Sequence, residues 1–212
     1  MDIISISWGL DDDIPEITEA VNKAYNKGIV ILASASNRGA NDLITFPARL
    51  RNVFCIGASD GKGGISSFNP PFVGVEKYSA LGEAVHGADV LTTSVSGTFD
   101  HRNPTTHSTF TRRTGTSTAT PIAAGIAAVF LDYTRQFTDA VKGPDNFARV
   151  RKLFIEMSKA SVNLPYRYLV PWSLFDPAFN SQKCRQAIQD ILQRAPGIHC
   201  LYSGLTSCYS YR

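Results

Sequence analysis

The sequence predicts an α/β fold in which a parallel sheet is flanked by helices. Residues 2–7 and 29–33 are short apolar runs rich in β-branched side chains, which are typical of strands. Between them, residues 14–27 place apolar side chains at helical spacing. Two strands and a helix joined by short connections form the right-handed crossover that links parallel strands. An Ala-rich run of small residues after Gly115 then predicts a further helix.

The first helix has signals at both ends. Asp13 and Glu16 form a capping-box-like start, and Pro15 lies in the first turn. Gly28 follows the last apolar position, where helices commonly end. After the second strand, residues 34–39 lie beyond its carboxyl end, which is the edge where open α/β sheets bind ligands.

The later elements are less regular. Residues 66–114 are rich in Gly, Ser, Thr and Pro, which favours short strands and loops. We expect a third strand at 53–57, the helix after Gly115 to extend to about 133, a surface helix at 146–158, an extended segment at 166–172 and a terminal helix around 187–192. The tail after Pro196 has no clear pattern.

Length and composition indicate one globular unit. The chain has 212 residues, of which 43% are hydrophobic and 18% charged. A formal net charge of +3 is too small to indicate a nucleic-acid or membrane partner. Neither a signal-peptide pattern nor an apolar run of about 18 residues is present, so we expect a soluble, cytoplasmic protein.

Four cysteines, Cys55, Cys184, Cys200 and Cys208, lack the spacing of metal ligands. Cys55 lies in an apolar run and is predicted to be a core residue. Without a secretory signal, free thiols are favoured over disulfides. We therefore predict no metal and no other cofactor.

Ser117 lies at the predicted start of the long helix, in the heptad Gly-Thr-Ser-Thr-Ala-Thr-Pro of residues 115–121. The N-terminus of a helix has free N–H groups and a positive dipole end, which favour a developing negative charge. This position suits a nucleophile or an anion site. Serine is also an ordinary helix N-cap, so the local pattern leaves a structural role equally open.

The heptad resembles the Gly-Thr-Ser-x-Ala-x-Pro signature around the nucleophilic serine of the subtilisin-like serine proteases (subtilases, peptidase family S8). Five further segments are similar to subtilase segments in the family's order, at residues 4–9, 33–39, 46–48, 53–60 and 66–68. The resemblance implies a partial subtilisin-like three-layer fold that lacks the N-terminal strands. It implies that residues 1–135 are the C-terminal part of a catalytic domain and that 136–212 are a C-terminal extension packed on it.

The resemblance also implies the site residues. Ser117 matches the nucleophile, and Asn37 matches the asparagine that donates a hydrogen bond to the oxyanion. Acyl transfer needs such donors where negative charge develops. Ser7-Trp8-Gly9, similar to the family's Ser-Leu-Gly, and Ser34-Ala35-Ser36 would form the walls that bind an extended polypeptide substrate. The alternative for Asn37 is a loop residue in an Asx-turn.

The acid and the base of a catalytic triad are not matched. In subtilases both motifs precede the region that this chain resembles, and nothing before Ser117 is similar to either. The histidines fall in loops or in the tail, at positions 86, 101, 107 and 199. A preceding segment or a second chain would have to supply Asp and His. Without it, an apolar sheet edge and the Ser117 helix are uncovered, so we expect a chain that is marginal, aggregation-prone or dependent on another polypeptide.

Three functions stay open from the sequence. The first is a serine endopeptidase, and the second is an inactive, truncated pseudoprotease or peptide-binding domain. The third is a nucleotide-binding α/β domain, which is disfavoured because neither Gly-x-Gly-x-x-Gly nor Gly-x-x-x-x-Gly-Lys occurs.

Overall fold

The computed structural model describes residues 1–71, 76–88, 110–136, 146–160, 166–174 and 181–193. The tail after Pro196 lies outside these ranges. The strands within them are β1 (Ile3–Ile6), β2 (Val30–Ser34), β3 (Phe54–Ser59), β4 (Lys77–Leu81), β5 (Val85–Ala88), β6 (Phe110–Arg113), β7 (Ser158–Ala160) and β8 (Arg167–Leu169). The helices are α1 (Pro15–Asn26), α2 (Thr116–Arg135), α3 (Asn146–Met157) and α4 (Ser181–Gln193).

Six strands form one sheet in the order β1-β2-β3-β4-β8-β7. Strands β1, β2, β3, β4 and β8 are parallel to one another, and the edge strand β7 is antiparallel to β8. Strands β5 and β6 form a separate antiparallel pair that leads into α2. The predicted α/β class and its β1-α1-β2 crossover are confirmed.

Helices cover both faces of the sheet because the strands are apolar on both sides. On one face, Leu32 and Ile56 pack against Ala123 of α2 and Phe154 of α3. On the other face, Ile31 packs with Val21 of α1. The result is the predicted three-layer arrangement.

Aromatic rings attach α3 to the sheet. Phe54 of β3 stacks on Phe147 at a centroid distance of 4.4 Å, and Tyr78 of β4 lies 5.2 Å from Phe154. The chain after residue 136 also contributes β7 and β8 to the same sheet. Its described part is therefore integral to the core, while the division into two domains at residue 135 stays a prediction.

Cys55 is a core residue, as predicted. Its side chain is fully buried on β3, and burial raises the pKa of the thiol well above its usual range. Cys55 and Cys184 are both free, which confirms the expectation for these two residues. Cys200 and Cys208 lie outside the described residues.

The start of α1 differs from the prediction. Its N-cap is Ile14, and no side chain caps the helix. Asp13 instead pairs with Arg49, whose Nη2 lies 2.7 Å from Asp13 Oδ1. The capping-box prediction was wrong because a distant arginine takes the carboxylate. Pro15 in the first turn and Gly28 past the end, with a φ of +75°, are confirmed.

Strand β1 is an edge strand in the described part of the sheet, with Ser5 exposed and its three isoleucines half-buried. It is therefore not buried on both faces, although an almost continuous apolar run favours such burial. The neighbouring side of α2 is also open, since Pro121 and Gly125 are exposed and Val129 is 57% exposed. Both observations agree with the expected uncovered edge. None of the helices described here is both long and apolar enough to cross a membrane.

Candidate active site

The N-terminus of α2 begins at a glycine with an unusual backbone. Gly115 has a φ of +151° and a ψ of 163°, a conformation that is essentially restricted to glycine. Its N–H donates to the carbonyl of Gly82 at 2.8 Å, which anchors the turn beside β4. Ser117 follows as the second residue of the helix, with its side chain exposed. The predicted helix start is confirmed.

Asn37 contacts this turn through its amide oxygen. Asn37 Oδ1 accepts hydrogen bonds from the Thr116 N–H at 2.8 Å and from Thr116 Oγ1 at 3.0 Å. Because a backbone N–H can only donate, these contacts assign the oxygen and leave Nδ2 as the donor of the amide. A Cβ on Gly115 would lie 2.9 Å from Asn37 Nδ2, so glycine is required for this approach.

Ser117 and Ser7 exchange two hydrogen bonds. Ser117 Oγ donates to the carbonyl oxygen of Ser7 at 3.0 Å, and Ser7 Oγ donates to the carbonyl oxygen of Ser117 at 2.9 Å. The N–H of Ser117 belongs to the first helical turn, where the helix offers no internal acceptor. The arrangement therefore places a hydroxyl, a first-turn N–H and the Asn37 amide around one end of α2.

The segments after β1 and β2 are joined directly. Leu10 and Phe46 exchange two backbone hydrogen bonds of 2.9 Å each. A Cβ on Gly9 would lie 2.1 Å from Thr45 Oγ1, so only glycine permits this close approach. Thr45 Oγ1 in turn donates to the carbonyl of Ala35 at 3.2 Å. These contacts fix the spacing between the two predicted walls.

Arg38 adds an exposed ionic link between the same segments. Its Nη1 lies 2.8 Å from Asp11 Oδ1 and 3.1 Å from Asp42 Oδ2. The bond to Asp11 contributes most to raising the pKa of Arg38. The Leu43 N–H and then Arg38 lower the pKa of Asp42. Both effects favour the charged pair next to Asn37.

The structure brings some of the predicted site residues together. Ser7, Asn37 and Ser117 surround the start of α2, and Trp8 and Gly9 are exposed beside them.

The second predicted wall is largely inaccessible. Ser34 and Ala35 are buried, and the backbone N–H and carbonyl of Ala35 already bond to Ile56 and Thr45. Ser36 is the accessible member of that wall, at a φ of +140°. Peptide binding by these walls stays a prediction.

The described residues do not supply a base next to Ser117. His86 lies on β5, and its Nε2 accepts a hydrogen bond from Arg112 Nε at 3.3 Å, which occupies its acceptor nitrogen. The other three histidines, at 101, 107 and 199, lie outside the described residues. The described part of the chain also holds no group of three His, Cys, Asp or Glu side chains suited to a metal ion.

Two residues that contribute to the site were not predicted from the sequence. Thr116 orients Asn37, and its signal was its place in the heptad directly before Ser117. Arg38 joins the two segments, and a lone arginine in a loop gives no signal for such a role.

Curated relatives are bacterial proteases. The chain is 34% identical over 134 residues to Subtilisin DY of Bacillus licheniformis, an alignment that covers 62% of this chain and 43% of that protein. It is 32% identical over 129 residues to the minor extracellular protease Epr of Bacillus subtilis (strain 168), covering 61% of this chain and 17% of the relative. The chain thus spans less than half the length of these two relatives.

Solved structures show the same fold. The prenylagaramide maturation protease PagA matches with a TM-score of 0.64 and 20% identity, over 88% of this chain and 62% of PagA. The S218A mutant of the PatA protease domain matches with a TM-score of 0.63 and 23% identity, over 89% of this chain and 60% of that domain. The family model described as the subtilase family, Peptidase S8, matches residues 1–166. With that match, the chain belongs to the subtilase family.

Proposed function

We propose that this chain provides the nucleophile and the oxyanion donors of a serine endopeptidase. The observation that supports this function best is the hydrogen-bonded group of Asn37, Thr116 and Ser117 at the start of α2. Its family supports the same reaction class. The substrate would be an extended polypeptide, as the walls at Ser7 and Ser36 suggest.

The reaction follows from the positions of these groups. Ser117 Oγ attacks the peptide carbonyl carbon, and the carbonyl oxygen becomes negatively charged. The Ser117 N–H and Asn37 Nδ2 donate to that oxygen, and the positive end of the α2 dipole favours the charge. The bonds from Thr116 hold the amide of Asn37 in place before the charge develops.

The proton of Ser117 needs a base that the described residues do not offer. We propose that a preceding segment or a second chain supplies the histidine and the aspartate that orients it. The open edge of β1 and the exposed side of α2 are where such a polypeptide would pack. These surfaces flank Ser117, so a residue on the added polypeptide would reach its hydroxyl.

The test is labelling with a serine-directed fluorophosphonate probe. The chain is labelled alone and after co-expression with an N-terminal subtilase fragment that has the Asp and His motifs. We expect strong labelling only in the complex, and Ser117→Ala should abolish it. A complex that forms but shows no labelling above the Ser117→Ala background would contradict the proposal.

A second candidate is a peptide-binding pseudoprotease. It is favoured by the hydrogen bond from Ser117 Oγ to a backbone carbonyl, which is not a base. This function requires saturable binding of an extended peptide by the chain together with absence of labelling. Titration with a fluorescent peptide separates the two candidates, with Trp8→Ala, which removes an exposed ring from the first wall, as a variant that should weaken binding.

A further inference from the structure

Helix α2 contains a proline whose position creates a local defect. Pro121 lies inside the helix, four residues after Ser117. Proline has no N–H, so the carbonyl of Ser117 loses the donor that every regular helical residue would provide. The defect therefore falls on the backbone of the proposed nucleophile.

Ser7 supplies the missing donor. Its hydroxyl donates to the carbonyl oxygen of Ser117 at 2.9 Å, and its own carbonyl accepts the Ser117 hydroxyl at 3.0 Å. Ser7 directly follows β1, so its backbone position is set by the sheet. The two bonds fix both the first turn of α2 and the direction of the Ser117 hydroxyl.

We propose that Ser7 is a positioning residue for Ser117, with its hydroxyl replacing the helical donor that Pro121 lacks. This inference deepens the proposed function and rests on it for its catalytic part. Ser7 was expected only to form a wall of the substrate cleft. The hydrogen bonds give it a second role, which is to hold the nucleophile's backbone.

A double-mutant cycle in the full chain tests whether Ser7 compensates for Pro121, and it requires no activity measurement. Ser7→Ala should lower the Tm by about 2–4 °C, the shift expected for one hydrogen bond in a chain of this size. Pro121→Ala returns an N–H at position 121. In that background Ser7→Ala should lower the Tm by less than about 1 °C, because the helix then satisfies the Ser117 carbonyl.

Two controls accompany the cycle. Ser7→Thr keeps the hydroxyl and should keep the Tm within about 1 °C of the unmodified chain. Ser5→Ala removes an exposed hydroxyl from the preceding strand β1 and should also leave the Tm unchanged. Equal Tm losses from Ser7→Ala with Pro121 and with Ala at that position would overturn the inference.

The catalytic part is tested by labelling in the complex with the Asp- and His-bearing fragment. Ser7→Ala should lower the maximal rate of fluorophosphonate labelling about tenfold, the size expected for about 1.4 kcal/mol, with an unchanged half-saturating probe concentration. Ser7→Thr should restore the rate. If the unmodified complex and the Ser7→Ala complex are labelled equally fast, the positioning role of Ser7 is refuted, and the proposed function is not affected. If the unmodified complex is not labelled, the proposed function fails, and the Tm cycle still decides whether Ser7 compensates for Pro121.

Discussion

Replacing Gly115 with alanine should destabilise the chain through two separate effects, backbone strain at position 115 and a close contact with Asn37. The backbone at Gly115, with a φ of +151° and a ψ of 163°, costs a residue with a side chain about 1–3 kcal/mol. The new methyl group would also lie 2.9 Å from Asn37 Nδ2, so the amide must move away from Thr116. Losing its two hydrogen bonds adds about 0.5–1.5 kcal/mol each. We expect a total loss of about 2–6 kcal/mol in the free energy of unfolding.

The assay is urea unfolding of the full chain followed by circular dichroism. Gly125→Ala is the matched control, because Gly125 lies within α2, where an added Cβ would meet no neighbouring group within 4 Å. We expect that control to be more stable by about 0.5–1 kcal/mol, since alanine is the better helix former. Asn37→Ala should remove part of the penalty of Gly115→Ala, because it removes the obstacle.

A Gly115→Ala chain that unfolds within about 0.5 kcal/mol of the unmodified chain would refute this reasoning. The same conclusion follows if Asn37→Ala and Gly115→Ala have strictly additive effects, because the two side chains would then not be in contact.

Three further predictions test other parts of the structure. Thr116→Val should slow fluorophosphonate labelling of Ser117 in the complex several-fold, because Asn37 Oδ1 loses the bond from Thr116 Oγ1, and Thr116→Ser should restore it. Phe154→Ala should lower the free energy of unfolding by about 3–5 kcal/mol in urea, because a fully buried ring between α3 and the sheet is removed. The third prediction concerns pH, because folding lowers the pKa of Asp42. The carboxylate therefore contributes its full stabilisation at pH values above its unfolded-state pKa of about 3.9. This stabilisation is lost as the pH falls through the lower pKa of the folded state. Thermal unfolding of Asp42→Asn should therefore depend less on pH in that acidic range than thermal unfolding of the unmodified chain, and an unchanged acid dependence would count against the hydrogen bonds that Asp42 accepts from the Leu43 N–H and from Arg38.

Local patterns predicted the elements well where local forces decide them. The spacing of Val150, Phe154 and Met157 placed α3 at 146–158, and the structure has Asn146–Met157. The small residues after Gly115 likewise placed the start of α2 correctly. These elements are defined by periodicity within one segment, which a sequence displays directly.

Features that depend on contacts between residues far apart in the chain could not be predicted from the sequence. Asp13 pairs with Arg49 and does not cap α1, and β7 replaces the last predicted helical residue because Ser158 pairs with Leu169. Short strands such as β7 and β8 are too brief to show a period. In the site, the family resemblance predicted Asn37 and Ser117, but the contact between Asn37 Oδ1 and Thr116 joins two residues far apart in the sequence and has no local signal.

The burial of Cys55 gives the chain an internal reporter of its own opening. The thiol lies in the middle of the sheet on β3, where both burial and its raised pKa suppress the reactive thiolate. An alkylating reagent can modify it only after the central strands separate. The alkylation rate of Cys55 therefore measures how often the sheet opens, and a polypeptide that covers β1 would slow that rate by a factor that grows exponentially with the free energy of stabilisation that it adds.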